Sequence, residues 1–146
     1  MNSIKEKLKQ EFLADIVLSE CPKTISIITS QNATNLIDFL SKKSIDQINI
    51  YPDINNELSL QSDLYIVLED ANLNVSDIGT IKNLLSQKII VFQSKNNSNL
   101  NTEDLIKLGL QKEFESKKDG LHFYTYNLKT YNNKRDWNNP KGWANP

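Results

Sequence analysis

The run Asp63-Leu64-Tyr65-Ile66-Val67-Leu68-Glu69 sets five successive apolar side chains between two acids. Successive residues of a β-strand point to opposite faces, so an unbroken apolar run must be covered on both. Such a strand belongs at the centre of a sheet packed between two layers, the setting of parallel strands joined by helical crossovers. Lys88-Ile89-Ile90-Val91-Phe92-Gln93 repeats the pattern, and Thr24-Ile25-Ser26-Ile27-Ile28-Thr29 is a β-branched version of it. Ile48-Asn49-Ile50-Tyr51, closed by Pro52-Asp53, makes a fourth short strand.

Helical patterns fill the intervals. Ser3 and Glu6 have the spacing of a capping box. Ile4, Leu8, Phe12 and Ile16, flanked by Leu13 and Val17, form one apolar face. Cys21-Pro22 ends that helix, because proline disfavours the helical region in the residue before it. Ser30 or Asn32 is placed to cap a second helix that buries Leu36, Ile37 and Leu40. Ile78, Ile81, Leu84 and Leu85 mark a third. Thr102-Glu103-Asp104 puts acids at the start of a fourth, where the helix dipole favours them, and Gly109 suits its end. Beyond it, 110–116 and 121–128 flank Lys117-Lys118-Asp119-Gly120, a hairpin signal.

Strands alternating with helices imply a mostly parallel sheet with right-handed crossovers. The expected fold is a three-layer, Rossmann-like α/β sandwich whose parallel sheet ends in an antiparallel hairpin. That arrangement looks like the class I methyltransferase topology. The expected organisation is one domain over 1–128, with an N-terminal helix over 1–20 and the hairpin over 110–128. A tail rich in Trp, Asn and Pro follows over 129–146.

Composition removes several function classes. The net charge is −1, without the basic footprint of a general nucleic-acid binder. Cys21 and His122 are single residues of their kind, which excludes a disulfide framework and a Cys/His zinc site. No apolar run approaches the roughly 18 residues of a membrane span. The opening residues lack the apolar stretch of a signal peptide, so a cytoplasmic protein is expected.

The tail carries a repeat, Trp137-Asn138-Asn139-Pro140 and Trp143-Ala144-Asn145-Pro146. Both tryptophans of the chain lie in it. Trp is a common interface anchor, and Asn-Pro favours turns. Trp137, Pro140, Trp143 and Pro146 are therefore the candidate interaction residues, docking on the domain itself, on a protein partner or on a second copy. The stretch from Thr102-Glu103-Asp104-Leu105 through Phe123-Tyr124-Thr125-Tyr126-Asn127-Leu128-Lys129-Thr130-Tyr131, then Asp136-Trp137-Asn138 and Trp143-Ala144-Asn145-Pro146, resembles a family of uncharacterised gammaproteobacterial proteins known only as a domain of unknown function. Its members share a Thr-Tyr-Asp-Leu-like strand end, an Asp-Trp-Leu-Asn-like segment and a Trp-Ala-Asn-Pro-like motif. The resemblance implies a bacterial protein with a degenerate methyltransferase-like fold, and no activity.

In open α/β sheets ligands bind beyond the carboxyl ends of the strands, near the point where strand order reverses. That rim collects Ser30, Asn32, Asp53, Glu69 and Asp70 as candidate cofactor-binding residues. Asp53 stands where such enzymes place an acid for ribose hydroxyls, and Glu69-Asp70 offers a carboxylate pair for acid–base work. The turn after the first strand, Thr29-Ser30-Gln31-Asn32-Ala33-Thr34-Asn35, has no glycine to let a cofactor approach the backbone. Cys21 has no base beside it in sequence, and it reads as a buried or half-buried structural residue. Tyr124, Tyr126 and Tyr131 offer a stacking platform for bases, but without a basic groove. The expectation is a non-catalytic domain acting through protein contacts. The alternative is a methyltransferase-like enzyme, or nucleotide binder, with S-adenosylmethionine as cofactor.

Overall fold

A computed structural model describes residues 4–30, 33–52, 61–71, 73–94, 102–116 and 120–127, and the statements below concern those residues. Helix α1 (Ile4–Glu20) leads into β1 (Thr24–Ile28), α2 (Thr34–Ser41) and β2 (Gln47–Tyr51). Then come β3 (Leu64–Val67), α3 (Val75–Thr80) with a widened π-turn over Ile81–Leu85, and β4 (Lys88–Ser94). Helix α4 (Thr102–Lys107) precedes the hairpin β5 (Gln111–Ser116) and β6 (Leu121–Asn127).

The six strands form one sheet in the order β2-β1-β3-β4-β6-β5. Strand β1 runs parallel to β2 on one side and to β3 on the other, and β3 runs parallel to β4. Strand β6 lies antiparallel between β4 and β5. This is the Rossmann-like, methyltransferase-like sandwich expected from the sequence.

The apolar runs are buried on both faces, as their lack of alternation requires. On one face Ile25, Ile27, Leu64, Ile66, Ile90 and Phe92 meet Leu13 and Val17 of α1 and Leu36 and Leu40 of α2. On the other, Ile28, Tyr65, Val67, Ile89 and Val91 meet Ile78, Ile81 and Leu85, with Leu105 of α4. The helices thus fall on two sides, the usual consequence of right-handed crossovers that leave β1 in opposite directions.

Local details refine the sequence reading. In α1 the Leu13–Val17 row is the buried one, and Leu8, Phe12 and Ile16 are partly buried beside it. Cys21 ends the helix with a φ of 50°, and it is exposed rather than buried as expected. Helix α2 starts after Ala33 with no side-chain cap, so Ser30 does not cap it. Helix α3 has a capping box that the sequence reading missed: Asn74 Oδ1 accepts from the Asp77 amide at 2.9 Å, and Asp77 Oδ2 accepts from the Asn74 amide at 3.0 Å. Its last turn widens, with the Ser86 amide donating to the Ile81 carbonyl, and Leu84 is 61% exposed instead of buried. Gly109 and Gly120 have φ of 96° and 68°, the left-handed conformation that glycine tolerates without steric cost. Ser3, Asn32, Asp53, Lys117–Asp119, Leu128 and the tail lie outside the described residues.

Candidate functional site

Strand order reverses at β1, between β2 and β3, so the crevice of a ligand-binding Rossmann domain would open at the carboxyl ends of β1 and β3. Thr29 and Ser30 follow β1; Leu68, Glu69 and Asp70 follow β3. The backbone draws these ends together. The Thr29 amide donates to the Tyr51 carbonyl at 3.0 Å, and the Leu68 amide donates to the Ile28 carbonyl at 3.1 Å.

Side chains continue the closure. The Asp70 carboxylate accepts from Thr29 Oγ1 at 2.7 and 2.8 Å, from the Ser30 amide at 2.7 Å and from Ser30 Oγ at 3.1 Å. A carboxylate has about four lone-pair sites, and these donors take up most of them. The Ser30 amide, which in a glycine loop would be turned toward a phosphate, instead faces this chain's own acid. Glu69 is engaged from the other side: Lys9 Nζ of α1 lies 3.0 and 3.1 Å from its two carboxylate oxygens. Both side chains of that pair are mostly buried, at 12% and 20% exposure. Of the five predicted rim residues, the structure brings Ser30 and Asp70 into direct contact. It gives Glu69 a separate partner. Asn32 and Asp53 lie outside the described residues.

A second polar cluster sits on the hairpin, and the sequence reading did not assemble it. Glu115 of β5 faces His122 of β6 across the ladder, with Oε1 3.6 Å from His122 Nδ1. The same oxygen accepts from Lys112 Nζ at 2.7 Å. That hydrogen bond pushes the Lys112 ammonium above its ordinary range, against a smaller opposing effect of burial. The register that places Glu115 opposite His122 follows an irregularity between Lys112 and Phe114, which residue spacing alone does not show. Tyr124 and Tyr126 lie on the same face as His122, but they are 0% and 6% exposed. Their rings belong to the core and form no open stacking platform; Tyr131 lies outside the described residues.

A third polar group lies within the sheet. Ser26 Oγ and Ser62 Oγ are 2.6 Å apart and buried. Burial pushes the neighbouring Tyr65 phenol above its ordinary pKa, and a hydrogen bond with Ser26 partly offsets this.

A groove of about 680 Å³ opens at the opposite end of the sheet, along the amino ends of β1, β3 and β4. Glu20, Cys21, Asp63, Leu84, Gln87 and Lys88 are among its walls. Cys21 therefore sits at the amino end and His122, paired with Gln93 of β4, at the carboxyl end, so the two do not form a nucleophile–base pair. Among the described residues no group of three or more His, Cys, Asp or Glu could hold a metal, and no helix is long and apolar enough to cross a membrane.

Residues 7–146 match a family described as one of unknown function (DUF6231). No curated protein matches the chain. Among solved structures it is similar to Haemonchus contortus phospholethanolamine N-methyltransferase 2, in complex with phosphomonomethylethanolamine and S-adenosylhomocysteine. That likeness has 9% identity and a TM-score of 0.49, and covers 80% of this chain. The chain spans 36% of that protein's length. It is also similar to the methyltransferase domain of bacterial CtHen1-CN, at 11% identity and a TM-score of 0.46, covering 82% of this chain and 97% of that domain.

Proposed function

Since the chain belongs to DUF6231, a family of unknown function, membership brings no activity with it, and we propose that this is a non-catalytic Rossmann-like domain acting through protein contacts. The observation that carries this reading is the Asp70 carboxylate at the switch point, satisfied by Thr29 and Ser30 of the opposite strand end. A carboxylate that is to serve as acid or base toward a bound molecule must have free acceptor sites aimed into an open crevice. This one draws β1 and β3 together, and Lys9 covers the acid beside it. Filling the site with a cofactor would require breaking charge-assisted hydrogen bonds first. The contacts are assigned to Trp137, Pro140, Trp143 and Pro146 of the tail, toward a protein partner or a second copy, in the cytoplasm.

Titration calorimetry with S-adenosylmethionine, S-adenosylhomocysteine, ATP and NAD tests the reading. No saturable heat at micromolar ligand is expected. Saturable binding that Asp53→Ala abolishes would overturn it in favour of a methyltransferase-like enzyme. In the companion experiment, Trp143→Ala is expected to change sizing-column behaviour or partner capture more than Ser30→Ala does. Equal behaviour of the two variants would remove the tail from the proposal.

A further inference from the structure

We propose that the groove at the amino ends of β1, β3 and β4 is the seat of this chain's own tail, residues 129–146. Chain path is the first reason. Strand β6 runs against the parallel strands, so it delivers the chain to their amino ends: Leu121 pairs with Ser94, and Asn127 pairs with Lys88. Lys88 is itself a wall of the groove. Lys82, another wall residue, holds its Nζ 5.0 Å from the ring centroid of Tyr126, one residue before Asn127. The described chain thus ends at the lip of the groove, two residues before the tail.

Tether length is the second reason. Trp137 lies ten positions and Trp143 sixteen positions beyond Asn127 in the chain. An extended chain covers about 3.3 Å per residue, so both indoles can reach any part of a groove this size. Such a short tether also gives the tail an effective concentration of order millimolar at the groove, ahead of a second copy at ordinary concentrations.

The surface around the groove suits this occupant. Leu84, a wall residue, is 61% exposed, and Leu18, whose carbonyl accepts from the Cys21 thiol, is 80% exposed. They are two of the four large apolar side chains exposed among the described residues. Each offers an indole or a proline ring a face to cover. The tail holds Lys129, Lys134, Arg135 and Lys141 against Asp136, three net positive charges, and residues 1–128 carry four net negative charges, an attraction to the domain as a whole; the groove walls themselves balance Glu20 and Asp63 against Lys82 and Lys88. The seat competes with the partner contact proposed above, which needs the tail released from the groove, and it is independent of whether the domain binds a cofactor.

Two built-in reporters allow a test on the full chain. Trp137 and Trp143 are its only tryptophans, and Cys21, a groove wall, is its only cysteine. Wild-type emission is expected to be that of shielded indoles. Leu84→Lys, at an exposed position, is expected to shift it to the red and to speed iodide quenching. The double variant Trp137→Ala/Trp143→Ala is expected to raise the rate of Cys21 alkylation several-fold, with circular dichroism unchanged. Unchanged emission in Leu84→Lys overturns the proposal, and so does an unchanged alkylation rate in the double variant. Wild-type shielding that disappears on dilution overturns it as well, because the tail would then occupy the groove of a second copy.

Discussion

The two ends of the sheet differ in what closes them. At the carboxyl end, where Rossmann domains hold their ligands, the acids among the described residues are engaged within the domain: Asp70 with Thr29 and Ser30, Glu69 with Lys9. At the amino end the polar groups also find partners, with Asp63 Oδ2 accepting from the Lys23 and Thr24 amides and Lys88 paired to Glu20 at 2.6 Å. That end nevertheless keeps an open groove beside two exposed leucines. The fold places an opening at the carboxyl rim by default, but side chains decide whether it remains one.

The largest effect is expected where the carboxyl end is held together. Asp70→Ala removes the charged acceptor that the buried Thr29 hydroxyl and the Ser30 amide share, and should cost about 2–3 kcal/mol. Urea denaturation measures this; a loss under about 0.5 kcal/mol would mean that the contact does not hold the rim closed. In the amino half of the sheet Ser26→Ala removes a partner of Ser62 and a hydrogen bond to Tyr65, for an expected loss of about 1–2 kcal/mol. If Ser26→Ala proves costlier than Asp70→Ala, the ranking of the two ends is reversed.

How much of this was legible in sequence depends on range. The strands were legible because burial on both faces writes itself into consecutive residues, as in Leu64–Leu68. The glycines at 109 and 120 were legible because local backbone geometry selects the residue type. That Ser30, Glu69 and Asp70 lie at the carboxyl ends of β1 and β3 was legible, since strand ends follow from strand positions. Their partners were not legible. Asp70 meets Thr29 across 41 residues, and Lys9 meets Glu69 across 60. Side-chain periodicity reports which face a residue takes, not which distant group arrives opposite it. The register that sets Asn127 of β6 opposite Lys88 of β4 was hidden for the same reason.

A smaller effect separates Lys9 from Glu69. In a double-mutant cycle with Lys9→Met and Glu69→Gln, the coupling should be about 1 kcal/mol, at the upper end for ion pairs because both groups are mostly buried. Raising the salt concentration should reduce it only modestly. A coupling indistinguishable from zero would mean that Lys9 does not hold Glu69 at the carboxyl end.

The least perturbing probe is alkaline pH, which acts on both faces of the comparison without a variant. Burial holds the Tyr65 phenol above its ordinary value of about 10, and Glu115 holds the Lys112 ammonium above its ordinary value of about 10.4. In each case the folded chain keeps its proton where the unfolded chain has begun to lose it. The stability these groups contribute is therefore fully present below about pH 10 and lost as pH rises through the folded values. Denaturation midpoints should be insensitive to these two groups between pH 8 and pH 9.5, and should fall above pH 10. Tyr65→Phe removes the phenol and should flatten part of that fall; Lys112→Gln should flatten another part, and at neutral pH cost only about 0.5 kcal/mol, as a partly exposed pair would. An alkaline slope identical in wild type and Tyr65→Phe would show that the buried phenol is not linked to folding. The Ser26–Ser62–Tyr65 group would then be a packing feature of the sheet rather than a polar element holding its amino half.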